Sequence, residues 1–308
     1  MKKLDKDRKI RLSFSAVSAF MDCRRKYWFS YVRFIELIAF MPQNIVGNCV
    51  HFGLYKLYSK DDNAIKETMK MMENEKQRLR QKLELSPQQE QLLQEQEYAI
   101  KGMLKAYAIK YKRHIANAQH IANELKLLYP IDKRTELVIK MDNIKKVKKK
   151  RYVHEIKTAK TLTADYVRNI KNDMQTAIYF HGHNRVVAKD EKLDGIIYDV
   201  IRKPSIRRKK KETPSQFMRR LSEYYTASNE SELFYMETIE KPLLTDKRVF
   251  NTLEHVAEDI RECATEDDFY PNDRYCYVKS RCNFYDICHF GENAATMARY
   301  RHRQKIDQ

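Results

Sequence analysis

The sequence predicts an α/β protein with a mixed sheet flanked by helices, a helical N-terminal region and a Cys-rich C-terminal segment. Patterns along the chain run in the order helices, strands, helix, two strands and helix. The 308 residues are 43% hydrophobic, which is enough for a sizeable core. Only 6 glycines and 7 prolines occur, which argues against an all-β sandwich and against long disordered linkers. We therefore divide the chain into a helical region (1–122), a sheet-containing core (123–242) and a C-terminal helix, Cys-rich segment and basic tail (243–308).

The N-terminal region has helical periodicity. Ser13 or Ser15 provides an N-cap, and the apolar spacing that follows predicts one helix that carries Cys23. The stretch "NIVGNCVHFGLYKLYSK" predicts a second helix with its apolar residues on one face. Residues 62–122 are rich in Glu, Gln, Lys, Leu and Met. They predict two helices broken near "LSPQQ", where Pro87 suits a first turn.

The core alternates between strand-like and helical patterns. The runs "ELKLLYPID", "TELVIKMDNIKKV" and "RYVHEIKTAK" predict a β-meander. A helix follows in "TADYVRNIKNDMQTAIYFHGHN". Two more strands, "LDGIIYDVIRKP" and "SELFYMETIEKP", are ended by Pro204 and Pro242. The last predicted helix is "TDKRVFNTLEHVAEDIRECAT".

The charge of the chain indicates a polyanionic partner. The formal net charge is +18, and an excess of this size attracts nucleic acid. Two runs concentrate the charge: residues 140–151 hold seven basic residues and one acid, and residues 202–211 hold seven basic residues and no acid. Together they predict a rim that binds phosphates. A surface charged for solubility, with both runs in solvated loops, is the alternative reading.

The sequence contains no pattern for membrane insertion or secretion. No apolar run approaches the roughly 20 residues that cross a bilayer, and the basic N-terminus is not followed by an apolar segment. We therefore expect a soluble, cytoplasmic protein.

Two carboxylates and a lysine form the first candidate site. Residues two apart on a strand share a face, so Glu155 and Lys157 point the same way. If the preceding strand pairs as a hairpin, Asp142 lies beside Glu155 at one end of the sheet. Two neighbouring carboxylates repel each other unless a cation such as Mg²⁺ or Mn²⁺ lies between them. The alternative is a cross-strand ion pair on a solvated face.

Three further side chains support the metal-site reading. Gln175 and Tyr179 are four apart on the next helix and share a face, so they can orient the lysine or contact a phosphate. His51 offers an imidazole from an upstream helix, although a single helical histidine is more often structural.

The order G-x-x-x-H, D, E-x-K and Q-x-x-x-Y resembles the PD-(D/E)XK nuclease superfamily in its RecB-like branch. The resemblance implies a restriction-endonuclease-like core in which His51, Asp142 and Glu155 bind the divalent metal and Lys157 assists hydrolysis. It also implies that Ile156 gives its backbone carbonyl to the metal.

The resemblance extends over nearly the whole chain. It makes Gln175 and Tyr179 the helix motif of that branch. The start "SFSAVSAFMDCRRKYWFSYV" is also similar to the branch, which has a serine-rich helix start followed by a cysteine and basic and aromatic residues. The resemblance is weakest over residues 60–122. In addition, Tyr55 stands where some members have a glutamate.

The cysteines form the second candidate site. One lies near the start of the chain and three near its end: Cys23, Cys276, Cys282 and Cys288. In a cytosolic chain such cysteines are more often ligands or free thiols than disulfides. Four thiolates suit a structural zinc or an iron–sulfur cluster equally well, so chemistry alone does not choose the metal. Unrelated thiols are the remaining alternative.

The cysteine arrangement is similar to that of iron–sulfur members of the branch, such as the CRISPR-associated RecB-like exonucleases, AddB and phage relatives. The resemblance implies that these four cysteines hold a structural [4Fe-4S] cluster. The spacing from Cys276 to Cys282 is longer than the usual C-x-x-C. Cys49 and Cys263 lie on predicted helices, where we expect buried thiols.

These features predict a Mg²⁺- or Mn²⁺-dependent deoxyribonuclease, with an exonuclease favoured. It would act on DNA ends or single strands in recombination, repair or end processing, without sequence specificity. A non-catalytic DNA-binding subunit and a sequence-specific endonuclease on the same core are the alternatives. Analogy with the branch suggests a helicase or single-strand-annealing partner.

Overall fold

Six strands form one mixed sheet, and two short strands pair separately. The structure is a computed structural model that describes residues 4–5, 7–227, 233–278 and 280–303. The strands of the large sheet are β1 (Ile10–Leu12), β3 (Ala118–Pro130), β4 (Thr135–Val147), β5 (Lys150–Ala159), β6 (Gly195–Arg202) and β7 (Phe234–Ile239). The separate pair is β2 (Ile35–Leu37) with β8 (Tyr300–His302), which run antiparallel.

The large sheet is organised around β4, which pairs with three strands. β3 runs antiparallel along nearly the whole of one edge of β4. The other edge pairs in parallel with β1 at residues 135–137 and antiparallel with β5 at residues 143–147. Beyond β5, β6 is parallel and β7 antiparallel. Among the described residues, the part of β4 between its two partners, which includes Asp142, has no strand partner on this edge.

Helices surround the sheet. In chain order they are α1 (Phe14–Asp22), α2 (Arg24–Tyr27), α3 (Pro42–Tyr58), α4 (Ala64–Lys82), α5 (Pro87–Lys110), α6 (Lys112–Asn117), α7 (Ala164–Asn169), α8 (Met174–Val186), α9 (Pro214–Ala227), α10 (Asp246–Glu262), α11 (Tyr285–Phe290) and α12 (Ala294–Met297). A π-helix spans Trp28–Val32, and 3₁₀ turns span Ile170–Asn172, Lys189–Glu191, Glu266–Asp268 and Asp273–Tyr275. Within the described ranges, none of these helices has both the length and the apolar character needed to cross a membrane.

Each face of the sheet buries its own hydrophobic core. One core lies under α1, α8 and α10, and the other under α3, α4, α5 and α9. Alternation along β5 places Val153 in the first core and Ile156 in the second. The predicted α/β fold, a mixed sheet flanked by helices, is confirmed.

The N-terminal helix is shorter than the sequence predicts. α1 is capped by Ser13, whose side chain accepts from the backbone N–H of Ala16. It ends at Asp22, and the backbone of the next residue, Cys23, is extended, with φ −163° and ψ 116°. The prediction of a single helix through Cys23 is therefore wrong. The C-terminal segment forms hydrogen bonds with this break. The Asn272 backbone N–H donates to Cys23 Sγ at 3.3 Å, and Asn272 Nδ2 donates to the Asp22 carbonyl at 3.0 Å.

The prediction of one helix over residues 163–184 is also wrong, because the chain is extended at Asp173 and forms α7 and α8 on either side. Some other boundaries follow the sequence more closely. The predicted break before Pro87 is confirmed, since Ser86 and Gln89 form a capping box at the start of α5. The strands β1, β2 and β8 and the helices α6, α9, α11 and α12 were not predicted. In the predicted strand "SELFYMETIEKP", the first two residues lie outside the described residues and β7 begins at Phe234. The end of the predicted basic tail, residues 304–308, also lies outside them.

Candidate active site and cysteine cluster

Asp142 and Glu155 lie where β4 and β5 separate. The last bonded pair between the strands is Asn143 with His154. Asp142 and Glu155 are the next residues on the two strands, so each carboxylate lies in the fork that opens there. The predicted hairpin thus brings the two acids to one end of its ladder.

His51 reaches Asp142 from α3. His51 Nδ1 lies 3.0 Å from Asp142 Oδ2, and both side chains are about one third exposed. Burial alone would lower the pKa of His51, but the hydrogen bond and charge of Asp142 raise it above its ordinary value. Burial conversely pushes the pKa of Asp142 up, yet His51 brings it below its ordinary value. The contact therefore favours the protonated form of His51 and the ionised form of Asp142.

Glu155 is a buried carboxylate with one unused oxygen. Its side chain is 1% exposed, and Oε1 lies 2.5 Å from Lys157 Nζ. Oε2 is buried and has no hydrogen-bond partner among the described residues. Burial raises the pKa of Glu155 to about 7 even though Lys157 acts to lower it. A buried acceptor without a partner is costly, so this oxygen marks a position for a cation or a proton.

Lys157 is held by a chain of hydrogen bonds from α8. Its Nζ donates to Gln175 Oε1 at 2.7 Å, and Gln175 Nε2 donates to the Tyr179 hydroxyl at 2.7 Å. Asp173 caps α8 and accepts from the Gln175 backbone N–H at 2.8 Å. Burial lowers the pKa of Lys157, but Glu155 outweighs it and the pKa is raised. The lysine therefore stays charged and oriented beside the fork.

The donors at the fork fit a hard divalent cation. By type, the donors are two carboxylates and an imidazole, and one buried carboxylate oxygen is unused. Within the described part of the chain, the ligand atoms of His51, Asp142 and Glu155 do not all lie within 4.8 Å of one another, so a shared ion would require these side chains to move closer together. The side chain of Ile156 is fully buried in the core beneath α3, on the sheet face opposite to Glu155. Glu155 and Lys157 do form an ion pair, but its carboxylate is buried, so the alternative of a pair on a solvated face does not describe it.

A buried polar network behind the fork was not predicted. Asp199 accepts from the Tyr107 hydroxyl at 2.5 Å and lies 3.1 Å from His154 Nε2. Lys145, fully buried, contacts His154 Nδ1 and lies over the Tyr58 ring. Burial lowers the pKa of Lys145 well below its ordinary value. The sequence does contain a signal for this network, because "YVHEI" and "IIYDVI" place polar residues inside apolar strand runs.

Cys23, Cys276 and Cys282 line one pocket beside the break after α1. Cys288 does not line it, and within the described residues no three of these four sulfur atoms lie within 4.8 Å of one another. Burial raises the pKa of the Cys276, Cys282 and Cys288 thiols, and the charge of Cys23 acts on each of them in the same direction. The Cys282 backbone N–H donates to the Cys276 carbonyl at 2.8 Å, which closes the long loop between them. The structure thus brings the first helix and the last segment to one thiol-rich pocket.

Two side chains beside Cys276 were not singled out from the sequence. Asp273, Cys276 and His289 each offer a ligand atom, and these three atoms lie within 4.8 Å of one another. Cys276 Sγ is 3.8 Å from His289 Nε2. A mixed Cys/His/Asp set suits zinc better than an iron–sulfur cluster.

The two remaining cysteines are buried, whereas most of the basic run around the β4–β5 turn is exposed. Cys49 is fully buried in α3, and Cys263 is 2% exposed just after α10. Lysines 148–150 are exposed at the β4–β5 turn, whereas Lys145 of the same run lies in the core. The expectation that residues 140–151 form a basic rim therefore fails for Lys145.

One comparison with known proteins identifies a match. A family model described as the PD-(D/E)XK nuclease superfamily matches residues 11–289. This range is most of the chain and contains the fork residues and the four clustered cysteines. No curated protein matches the chain.

Proposed function

Because the chain belongs to the PD-(D/E)XK nuclease superfamily, we propose that it is a Mg²⁺- or Mn²⁺-dependent deoxyribonuclease. We propose further that it is an exonuclease acting on DNA ends or single strands in recombination, repair or end processing. Membership of the superfamily implies a metal-dependent nuclease. The observation that supports catalysis in this chain is the fork, where a buried carboxylate with an unused oxygen lies beside a second carboxylate and a charged lysine.

Each residue of the fork has a proposed role. His51, Asp142, Glu155 and the Ile156 carbonyl would hold the divalent ion. The bound ion would activate water and offset charge on the phosphate. Lys157 would donate to the attacked phosphate or the attacking water.

Gln175 and Tyr179 are positioning residues in this proposal. Gln175 accepts from Lys157 and donates to the Tyr179 hydroxyl, both at 2.7 Å. Because the lysine has a fixed partner on α8, its ammonium does not have to be ordered during the reaction.

The charge of the chain supports DNA as the substrate. The net charge of +18 would attract the phosphate backbone, and the exposed lysines of the β4–β5 turn and of residues 209–211 would contact it. Contacts to phosphates carry no base code, so hydrolysis would be independent of sequence. A helicase or single-strand-annealing partner suits such an activity by analogy.

We propose a structural metal centre at the cysteines. Cys23, Cys276, Cys282 and Cys288 would hold a [4Fe-4S] cluster, as the resemblance implies. Zinc is the alternative, and the placement of Asp273 and His289 beside Cys276 favours it. Either group would join the break after α1 to the last segment of the chain.

End-labelled linear DNA and closed circular DNA, each with Mg²⁺ or Mn²⁺, test the proposed activity. We expect metal-dependent release of nucleotides from linear DNA. Glu155→Ala and Lys157→Ala should each lower the rate about 10²-fold or more, because each removes charge stabilisation from the site. Glu254→Ala, a change of an exposed glutamate on α10, serves as the control and should leave the rate unchanged.

Other outcomes of this experiment separate the alternatives. Fixed fragments from circular DNA would indicate a sequence-specific endonuclease. Variants that cut as well as the parent would place the activity elsewhere. Absence of metal-dependent cleavage of either DNA would contradict the proposed function and favour a DNA-binding subunit.

A further inference from the structure

A cavity of about 380 Å³ opens beside His51 and Asp142. Ligand pockets span roughly 300–1,000 Å³, so this one is small and suits a single compact ligand. His51 and Asp142 form part of its wall, which makes it continuous with the proposed metal site. A ligand in this cavity would therefore lie next to the phosphate that is hydrolysed at the proposed metal site.

An aromatic wall lines this cavity on α3. Asn48, His51, Phe52 and Tyr55 follow the i, i+3, i+4, i+7 spacing of one helix face, and all four line the cavity. The Phe52 and Tyr55 rings are 6.4 Å apart, and neither residue is fully buried. The two rings are inclined at 58° to each other, so a flat base can stack on one of them and contact the other at an angle.

Asn143 gives the cavity an unsatisfied polar group. The residue is 2% exposed and lines the cavity, and its Oδ1 has no hydrogen-bond partner within the described part of the chain. A buried amide oxygen without a partner is rare in folded proteins and calls for a ligand or an ordered water. It requires an N–H donor, and every nucleobase carries one.

We propose that this cavity binds one unstacked nucleotide of a DNA strand, with its base against Phe52 and Tyr55 and its donor edge toward Asn143 Oδ1. The inference rests on the proposed function and specifies the substrate of the same site. Lys140 at the rim is 61% exposed in its side chain and pairs with Glu124 at 3.5 Å, so a neighbouring phosphate would compete with Glu124 for this ammonium. A paired base must leave its duplex to enter, so the enzyme prefers single strands and frayed ends.

Substrates that lack one base test the kinetic consequence. Single-stranded oligonucleotides carry either a normal or an abasic residue at the 5′ or the 3′ terminal position. Stacking on aromatic side chains is commonly worth about a tenfold effect or more. We therefore expect the parent to hydrolyse the normal strand roughly tenfold faster than the strand that is abasic at the end it attacks. Tyr55→Leu and Asn143→Ala should each reduce this ratio toward one.

A control variant and a binding measurement separate this inference from the proposed function. Tyr270→Leu removes an aromatic ring that contacts Arg24 and is 54% exposed. It should keep the parental ratio. With Ca²⁺ in place of Mg²⁺, a terminal 2-aminopurine should lose fluorescence on binding to the full-length parent and lose less on binding to Tyr55→Leu.

Each result decides one claim. Equal rates on normal and abasic strands, with fluorescence unchanged by Tyr55→Leu, would overturn the nucleotide site while leaving the nuclease intact. Absence of hydrolysis of every strand would overturn the proposed function. The fluorescence change would then still show whether a base enters the cavity.

Discussion

At the residue scale, Glu155 holds its two oxygens in different environments. Oε1 is 2.5 Å from the Lys157 ammonium, whereas Oε2 is buried without a partner among the described residues. Burial raises the pKa of this carboxyl to about 7. A proton would satisfy the buried oxygen, and so would the metal ion proposed above, so the two would compete for one position.

This competition predicts a pH dependence of stability in the absence of metal. The folded-state pKa of Glu155 lies above its ordinary value of 4.5, so folding favours the protonated acid. Its contribution to the free energy of unfolding is complete below about pH 4.5 and is lost as the pH rises through about 7. We therefore expect the melting temperature in EDTA to fall between about pH 5 and pH 8.

Magnesium should reverse this trend. If Glu155 and His51 are the proposed ligands, a bound metal would displace the proton of Glu155 and that of His51, whose pKa is also raised, so it would bind more tightly as the pH rises. Added Mg²⁺ should raise the melting temperature more at about pH 8 than at about pH 5. Glu155→Gln should flatten both trends. Equal stabilisation by Mg²⁺ at the two pH values would contradict the assignment of Glu155 as a ligand.

At the element scale, two helices reach the fork from opposite faces of the sheet. α8 packs in one core and supplies Gln175, whereas α3 packs in the other and supplies His51. α3 lies close to its neighbours at Gly53, where a Cβ would be 2.5 Å from Leu104 Cδ1 and 2.9 Å from Thr68 Oγ1. How closely α3 packs against α4 and α5 therefore depends on this glycine. The position of His51 depends in turn on the position of α3.

A matched pair of substitutions in α3 tests this dependence. Gly53→Ala and Gly47→Ala gain the same helix propensity, about 1 kcal/mol. At Gly47 an added Cβ meets nothing within 4 Å among the described residues. We expect Gly47→Ala to be neutral or stabilising, while overpacking of about 1–3 kcal/mol makes Gly53→Ala destabilising in urea unfolding. Midpoints that shift in the same direction would show that Gly53 is not a packing constraint.

The elements around the fork were predictable to different degrees. β4, β5 and α3 have long periodic patterns, and the spacing of Glu155 and Lys157 places both on one strand face. β1 has only three residues and pairs with residues 135–137, so its pairing has no local signal. The network of Lys145, His154 and Asp199 was missed because each polar residue finds its partners on a different strand or helix.

At the scale of the whole molecule, the N-terminal segment is bonded to the end of α10 and the residues just after it. The Leu4 backbone N–H donates to the Ala264 carbonyl at 2.7 Å, and Arg8 donates to the carbonyls of Ile260 and Cys263. The cysteine cluster lies on the same junction, between Cys23 and the segment after α10. A metal centre there would stabilise contacts between residues that are far apart in sequence.

Substitutions of the cysteines test the proposed metal centre. We expect the parent, purified without oxygen, to contain iron with a brown visible absorbance, or zinc without one. Cys23→Ser and Cys288→Ser should lower both the metal content and the melting temperature. Cys263→Ala, at a buried thiol outside the cluster, should destabilise the protein without loss of metal. A parent with neither iron nor zinc would contradict a metal centre at these cysteines.

The pairing of β1 with β4 has a consequence for biosynthesis. Residues 10–12 leave the ribosome long before residues 135–137, with which they pair in parallel. β1 therefore cannot join the sheet until β4 has been synthesised. α1 likewise cannot complete its packing until α10, which covers the same core, has been synthesised. Until then an apolar surface is open to solvent, which predicts that chains stopped before Asp246 aggregate or are degraded. Completion of the nuclease fold is thereby tied to completion of its translation.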